Sequence, residues 1–297
     1  MNTCVRIRSI VLLLALLIAA LLPAWADERP VLRIDAPPPV DFPAKGFSHQ
    51  VFEDLLQRFV VNGRVNYDAW HGDADAMAAL ESYLAAVGRW SPDNAPERFA
   101  DKNDAKAYWL YVYNAFVLKA VLDRWPLDSV NDVRAPAQIA KGQGFFYRLH
   151  FIAGGEEVNL LRIQKKKVKK QWRDPRAHFV LNCASDSCPI LRPELPTGDE
   201  LEPFLAQSAR DFVSEPSNVS IDHTAQELRV SEIFKWYRKE FIRDLRSRGL
   251  PSSRGIVDYL IDVAPDELKG ELERAANYTV VYFDYDWDIN QAGKETS

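Results

Sequence analysis

Residues 104–124 read DAKAYWLYVYNAFVLKAVLDR, and the rest of the chain has to pack around them. The spacing predicts a helix with apolar side chains on nearly every side, which a globular protein buries by surrounding it with other elements. Asn114 lies in the middle of this helix, so we expect its amide to be inside. A buried amide without partners costs about 1–3 kcal/mol, so Asn114 should hydrogen-bond a specific group.

Shorter elements are predicted on both sides of this helix, which Trp125-Pro126 ends. Helical spacing is found at about 47–60, 73–87, 159–172 and 199–214, and again after Ser231, which we expect to cap a helix. Strand patterns are found at 145–151, 178–183, 218–222, 226–230 and 278–283. The predicted fold class is therefore α+β, a mostly helical single domain around a small, mostly antiparallel sheet.

Length and composition fit one globular domain. The chain has 297 residues, of which 47% are hydrophobic and 27% charged, an ordinary balance for a protein with a sizeable core. We predict a single domain over 47–290, preceded by a proline-rich extended leader over 27–46. Residues 291–297 are predicted to be a disordered tail.

The first 26 residues have the pattern of a signal peptide. Arg6 and Arg8 precede the apolar run 10–22, and Ala24-Trp25-Ala26 has the small-x-small form that signal peptidase cleaves. The run is shorter than the roughly 20 residues that a membrane span needs, so we expect no integral span after cleavage. The predicted location is the periplasm or the outside of the cell.

The charge pattern excludes some classes of partner. A net charge of −5 and the lack of a broad basic face argue against nucleic acid. The lysine run 165–170 favours a solvated helix face, with an anionic polymer or lipid head group as the alternative partner. No glycine-rich phosphate loop and no metal-type histidine pair is present, so we predict neither a cofactor nor a metal. An envelope protein, a peptide or a small molecule remains as the expected partner.

The candidate site is the stretch RAHFVLNCASDSCP at 176–189. If 178–182 is a strand, side chains alternate, so His178 shares a face with Asn182 and points away from Cys183. The loop 184–187 can then fold back and bring Cys188 under His178. On this geometry Cys188 is at least as good a nucleophile as Cys183.

The two cysteines allow three interpretations. Cys183 and Cys188 are the pair left after the predicted cleavage, and an oxidising compartment favours a disulfide between them. A free catalytic thiol is the second interpretation. Metal ligation is the weakest, because zinc sites need two further ligands and no second cysteine pair exists.

His178 is likewise open to two interpretations: a core histidine satisfied by a carbonyl, or a functional group that acts as a general base or an orienting donor. The favoured hypothesis is a binding or scaffold module, in which the cysteines are bridged and His178, Asn182 and Asn114 form a buried network. The alternative is a cysteine-dependent hydrolase or acyl transferase acting on a peptide or amide of the cell envelope. In it, Cys188 or Cys183 would attack, with His178 as base and Asn182 or Asn114 orienting it.

Four stretches together resemble the family known as domain of unknown function 547. They are YWLYVYNAF at 108–116, HFVLNCASDSCP at 178–189, IFKWY at 233–237 and YDWDIN at 285–290. The resemblance implies a secreted or envelope-associated bacterial domain, without an established general activity. Family members tend to carry an acidic residue and a histidine in the helix before the cysteine block, where this chain has Gln164 and the lysine run.

Overall fold

The computed structural model describes residues 30–134 and 142–293. The predicted signal peptide, 1–26, lies outside the described residues, and so do residues 294–297 of the predicted tail. Among the described residues, no helix combines the length and the apolar character needed to cross a membrane.

Helices dominate the described chain. In order they are α1 (Gln50–Phe59), α2 (Tyr67–His71), α3 (Ala74–Arg89), α4 (Lys102–Leu122), α5, α6 (Leu201–Ser214), α7 (Glu232–Trp236), α8 (Arg238–Ser247), α9 (Ile256–Val263) and α10 (Asp266–Arg274). Helix α5 is continuous but changes its winding, with α turns at Leu160–Arg162 and Lys170–Trp172 on either side of a π segment, Ile163–Lys169.

The strands are short. They are β1 (Val31–Leu32), β2 (Val60–Val61), β3 (Arg64–Val65), β4 (His150–Ala153), β5 (Glu156–Asn159), β6 (Val219–Asp222), β7 (Glu227–Val230) and β8 (Thr279–Tyr282). Over the described ranges they form three small sheets rather than one, in the orders β1-β4-β5, β2-β3 and β6-β7-β8. Pairs β2-β3, β4-β5 and β6-β7 are antiparallel, whereas β1-β4 and β7-β8 are parallel. The predicted α+β class is confirmed.

Helix α4 is the central element, as its sequence predicts. Asp101 begins it by accepting hydrogen bonds from the backbone N–H groups of Asn103 and Asp104. Every residue from Lys106 to Leu122 is buried. The helix therefore has no solvated face, and its polar side chains must find partners within the protein.

Two hydrophobic clusters make up the core. The larger surrounds α4 and includes residues from α1 to α3, while the smaller lies between α6 to α9 and the sheet β6-β7-β8. Helix α6 contributes to both, with Leu205 in the larger cluster and Phe212 in the smaller. Phe179 packs in the smaller cluster, next to the candidate site.

The proline-rich leader is attached to the domain. Strand β1 pairs with β4, and Arg98 donates hydrogen bonds to the carbonyls of Pro43 (3.1 Å) and Gly46 (2.8 Å). Phe42 stacks on Trp90 at 5.2 Å between ring centroids. At the other end, the backbone N–H of Ala292 donates to Val65 at 2.9 Å, so the paired chain continues past Asn290.

Two predicted strands are wrong. The first, at 145–151, is largely a π turn, Gln143–Arg148, and strand β4 begins only at His150. The second, at 178–183, is replaced by a 3-10 turn, Pro175–Phe179, that runs into irregular chain. Asp174 accepts a hydrogen bond from the N–H of Arg176, and Pro175 occupies the first position. This cap-then-proline pair begins a helical turn, and no neighbouring strand competes with it.

The predicted helix after Ser231 is also divided. The Ser231 hydroxyl accepts from the N–H of Ile233, which confirms the cap. The helix breaks at Tyr237, between α7 and α8, so the expected apolar stripe is not continuous. Trp236 is 43% exposed as a result.

A buried ion pair holds the 3-10 turn against α4. The side chain of Lys106, 4% exposed, lies 2.6 Å from the carboxylate of Asp174, which also binds Arg176 at 2.7 Å. Burial alone would raise the pKa of Asp174, but the hydrogen bonds and charges of Arg176 and Lys106 lower it to about 2. Because this folded-state pKa lies below the unfolded value, the carboxylate stabilises the fold above about pH 4 and loses that effect towards pH 2.

We therefore predict that Asp174→Asn lowers the free energy of unfolding at pH 7 by about 2–4 kcal/mol, since Lys106 loses a buried partner. The difference from wild type should shrink by about 2 kcal/mol between pH 5 and pH 2. Urea unfolding across this pH range measures it, with Asp266→Asn, at a side chain 95% exposed, as the control. A difference that stays constant with pH would contradict the account.

Candidate functional site

Asn114 connects the central helix to the cysteine block. Its side-chain amide donates to the carbonyl of Val180 at 2.9 Å and accepts from the N–H of Asn182 at 2.9 Å. All three groups are buried. The Asn114 side chain therefore makes the hydrogen bonds that a neighbouring strand would make to this buried backbone if it belonged to a sheet.

Asn182 holds the loop that follows. Its oxygen accepts from the N–H of Ala184 at 2.7 Å, and its nitrogen donates to the carbonyl of Pro189 at 2.8 Å. Ala184 has a φ of 62°, in the left-handed region that non-glycine residues rarely occupy. The side chain thus bonds the backbone of the residue that follows each cysteine and helps to keep this turn.

Cys183 and Cys188 form a disulfide, as predicted, with 6.2 Å between their Cα atoms. The N–H of Cys183 donates to the sulfur of Cys188 at 3.0 Å. The Tyr285 hydroxyl lies 3.2 Å from each sulfur, and the Ser185 hydroxyl lies 3.0 Å from that of Cys183. Burial raises the pKa of Tyr285, so its hydroxyl keeps its proton.

The C-terminal segment pins the same loop from outside. The N–H of Asp186 donates to the carbonyl of Asp288 at 2.8 Å, and the N–H of Asn290 donates to that of Ala184 at 3.1 Å. Arg64 pairs with the Asp186 carboxylate. A disulfide across so short a loop adds only about 2 kcal/mol in the chain-entropy model. The loop is therefore shaped mainly by these bonds rather than by the disulfide.

His178 lies apart from the asparagine network, contrary to the expected joint His/Asn network. Its Nε2 is 3.1 Å from a carboxylate oxygen of Glu240, rather than bonded to a carbonyl. The imidazole stacks on Tyr237 with 3.6 Å between centroids and 14° between planes. Burial raises the pKa of Glu240, but the hydrogen bond from His178 and the charge of Lys169 outweigh it and hold that pKa below its ordinary value.

One cleft of about 460 Å³ brings the predicted residues together. His178, Cys183 and Cys188 all line it. The predicted alternation of side chains, which separated His178 from Cys183, assumed a strand, and the structure has a 3-10 turn there instead. The other lining side chains are mostly aromatic or aliphatic: Tyr113, Phe146, Tyr147, Leu161, Leu181, Pro189, Ile233, Tyr237, Tyr285 and Trp287. Asn114 and Asn182 support this wall from behind and do not line the cleft.

Several residues in or next to the cleft were not found from the sequence. Glu240 lies in α8, 62 positions from His178, and its place on that helix gave no signal. Gln164, where the resembled family tends to be acidic, lines the cleft and donates to the Tyr237 hydroxyl at 2.9 Å. The Gln164 amide therefore hydrogen-bonds the uncharged Tyr237 hydroxyl without adding a charge to the cleft wall.

The lysine run lies on the outer side of α5. Lys165, Lys166 and Lys170 are exposed, as expected of a solvated face, whereas Lys167 pairs with Asp93 and Glu156. In the two described stretches, no cluster of His, Cys, Asp or Glu side chains is arranged to hold a metal ion.

We predict that Asn114→Ala lowers the free energy of unfolding by about 2–4 kcal/mol, because the Val180 carbonyl and the Asn182 N–H both lose their buried partner. Chemical denaturation measures the loss. The exposed Asn277→Ala is the matched control and should change stability by less than about 0.5 kcal/mol. Equal effects from the two substitutions would refute the bridging role.

Comparison with known proteins gives one match. Residues 97–213 match the family described as "Protein of unknown function, DUF547". No curated protein and no solved structure matches the chain. The matched segment contains α4, the 3-10 turn, the disulfide loop and most of α6, whereas the stretches at 233–237 and 285–290 lie beyond it. This match supports the resemblance to the DUF547 family that the aromatic helix and the cysteine block predicted.

Proposed function

We propose that the protein is an exported binding module whose cleft takes a small molecule or peptide side chain with an aromatic or aliphatic body. The observation that carries this proposal is the position of His178, which Glu240 bonds from outside the lining, in the wall of an otherwise largely apolar cleft of about 460 Å³. Clefts of this size with few polar groups are typical of small-molecule sites.

The rim of the cleft supports a ligand that enters from solvent. Tyr147, which lines the cleft, is 51% exposed. Trp236 is 43% exposed and packs against Tyr285 at 4.7 Å and Trp287 at 5.9 Å between centroids. Exposed aromatic rings beside an apolar cavity favour contact with an apolar partner.

The polar groups would orient this ligand. Because Nε2 of His178 bonds the Glu240 carboxylate, Nδ1 is the ring nitrogen left for a ligand. Tyr113 lines the same cleft, and burial raises the pKa of its hydroxyl, so the hydroxyl keeps its proton. A head group with both a donor and an acceptor fits this arrangement.

Export rests on the pattern of residues 1–26 together with the disulfide, which persists mainly in oxidising compartments. The proposed location is the periplasm or the medium. N-terminal mass analysis of the protein from its host tests it: a chain starting at Asp27 is expected, and an uncleaved chain recovered from the cytoplasm would refute export.

A second candidate is the cysteine-dependent hydrolase or acyl transferase. The observation in its favour is that His178, Cys183 and Cys188 line one cleft. In the disulfide form neither sulfur is a thiolate, so this activity requires reduction. Turnover of p-nitrophenyl acetate by the reduced protein, abolished in Cys188→Ser or Cys183→Ser, would favour it over simple binding.

We predict that Leu161→Trp fills the cleft and weakens binding of the neutral dye N-phenyl-1-naphthylamine by at least about tenfold, since the wider side chain occupies the space of the ring. Dye fluorescence titration measures the affinity. Val61→Trp adds the same side chain at a site 50% exposed outside the cleft and serves as the control.

One result would contradict this prediction. If folded Leu161→Trp, checked by circular dichroism, binds the dye as tightly as the wild type and Val61→Trp do, the cleft is not the binding site.

A further inference from the structure

We propose that Cys183–Cys188 is a thiol–disulfide exchange centre that oxidises a dithiol, with Cys188 as the leaving thiolate. This activity goes beyond ligand binding and does not require it. Three features carry the inference: the disulfide lines two clefts, its loop keeps its shape by other bonds, and one sulfur has a fixed donor.

The disulfide is placed where an outside thiol can reach it. Cys188 lines both the aromatic cleft and a second cleft of about 370 Å³ on the other side of the loop, and Cys183 lines the first. Both residues are partly exposed rather than buried. A disulfide that only tied two core segments together would be shielded from solvent on both sides.

The loop does not depend on the disulfide for its conformation. Asn182 bonds the backbone at Ala184 and Pro189, and Arg64 pairs with Asp186. The Ser187 hydroxyl accepts from the N–H of Asp286 at 2.9 Å. Oxidised and reduced loops can therefore share one shape, which keeps both cysteines positioned for closing the disulfide again.

The two sulfurs are not equivalent. The N–H of Cys183 points at the sulfur of Cys188 at 3.0 Å, and the hydroxyls of Tyr285 and Ser185 lie 3.2 Å and 3.4 Å from the same atom. Each hydroxyl also lies near the sulfur of Cys183, but the backbone donor serves Cys188 alone. Hydrogen bonds to a developing thiolate lower its pKa and make it the better leaving group.

The proposed reaction is a two-electron exchange between a partner dithiol and the Cys183–Cys188 disulfide. A partner thiolate attacks the sulfur of Cys183, the Cys183–Cys188 bond breaks, and Cys188 leaves as the thiolate. The second thiolate of the partner then attacks its own sulfur in the mixed disulfide and releases Cys183. The partner loses two electrons, the chain gains two, and the protons lost by the partner thiols reach the two cysteines through solvent. A disulfide of higher reduction potential restores the oxidised chain.

Alkylation with iodoacetamide across pH tests the asymmetry on single free thiols. Cys183→Ser leaves Cys188, whose reaction midpoint should lie at least about one pH unit below the ordinary thiol value of roughly 8.5. Cys188→Ser leaves Cys183, whose midpoint should be higher than that of Cys188. Adding Tyr285→Phe to Cys183→Ser should raise the Cys188 midpoint.

Reduction of the native disulfide by dithiothreitol, without denaturant, tests the exchange itself. Tyr285→Phe should slow it between about threefold and tenfold, because the leaving thiolate loses one donor. Tyr278→Phe removes a hydroxyl that contacts His223 outside both clefts and should leave the rate unchanged.

Three results would overturn the proposal: both thiols titrating together near the ordinary value, no reduction of the folded protein, or equal rates for Tyr285→Phe and Tyr278→Phe. If the alkylation and reduction tests fail while dye binding is intact, the exchange activity is refuted and the proposed binding function is not. Loss of dye binding in Leu161→Trp leaves the exchange test unaffected.

Discussion

A single side-chain amide, that of Asn114, links the central helix α4 to the chain that leads into the disulfide loop. It lies in a helix without a solvated face, and it satisfies the Val180 carbonyl and the Asn182 N–H in chain that belongs to no strand. Burying such backbone is costly unless every polar group is paired. These two hydrogen bonds therefore allow chain without regular secondary structure to be buried. A strand would have satisfied the same backbone groups by pairing with a neighbouring strand.

Everything at the candidate site depends on that irregular chain. The 3-10 turn capped by Asp174 carries His178, and Asn182 holds the disulfide loop. The C-terminal segment places Tyr285 beside both sulfurs. Helix α8 supplies Glu240 from the other side. Segments distant in sequence thus meet at one cleft, which explains why the site needs the whole domain.

The sequence was sufficient for the central helix, its buried asparagine, the β6-β7 hairpin, the disulfide and the α+β class, because each depends on local periodicity or on cysteine spacing. The sequence-based prediction failed at 178–183, because a short apolar run is as compatible with a strand as with a buried helical turn. There the Asp174-Pro175 start signal outweighs β-propensity. Glu240 and Tyr285 had no local signal, because their roles come only from tertiary contacts.

The central claim is that side-chain and backbone bonds, rather than the disulfide, shape the loop that forms the cleft wall. Native-state hydrogen exchange at the Asn182 and Ala184 amides tests it most directly. Both amides donate to side-chain oxygens, of Asn114 and Asn182, respectively. We expect their protection to change less than about tenfold when the disulfide is reduced. Exchange of both at the rate of an unstructured chain after reduction would contradict the claim.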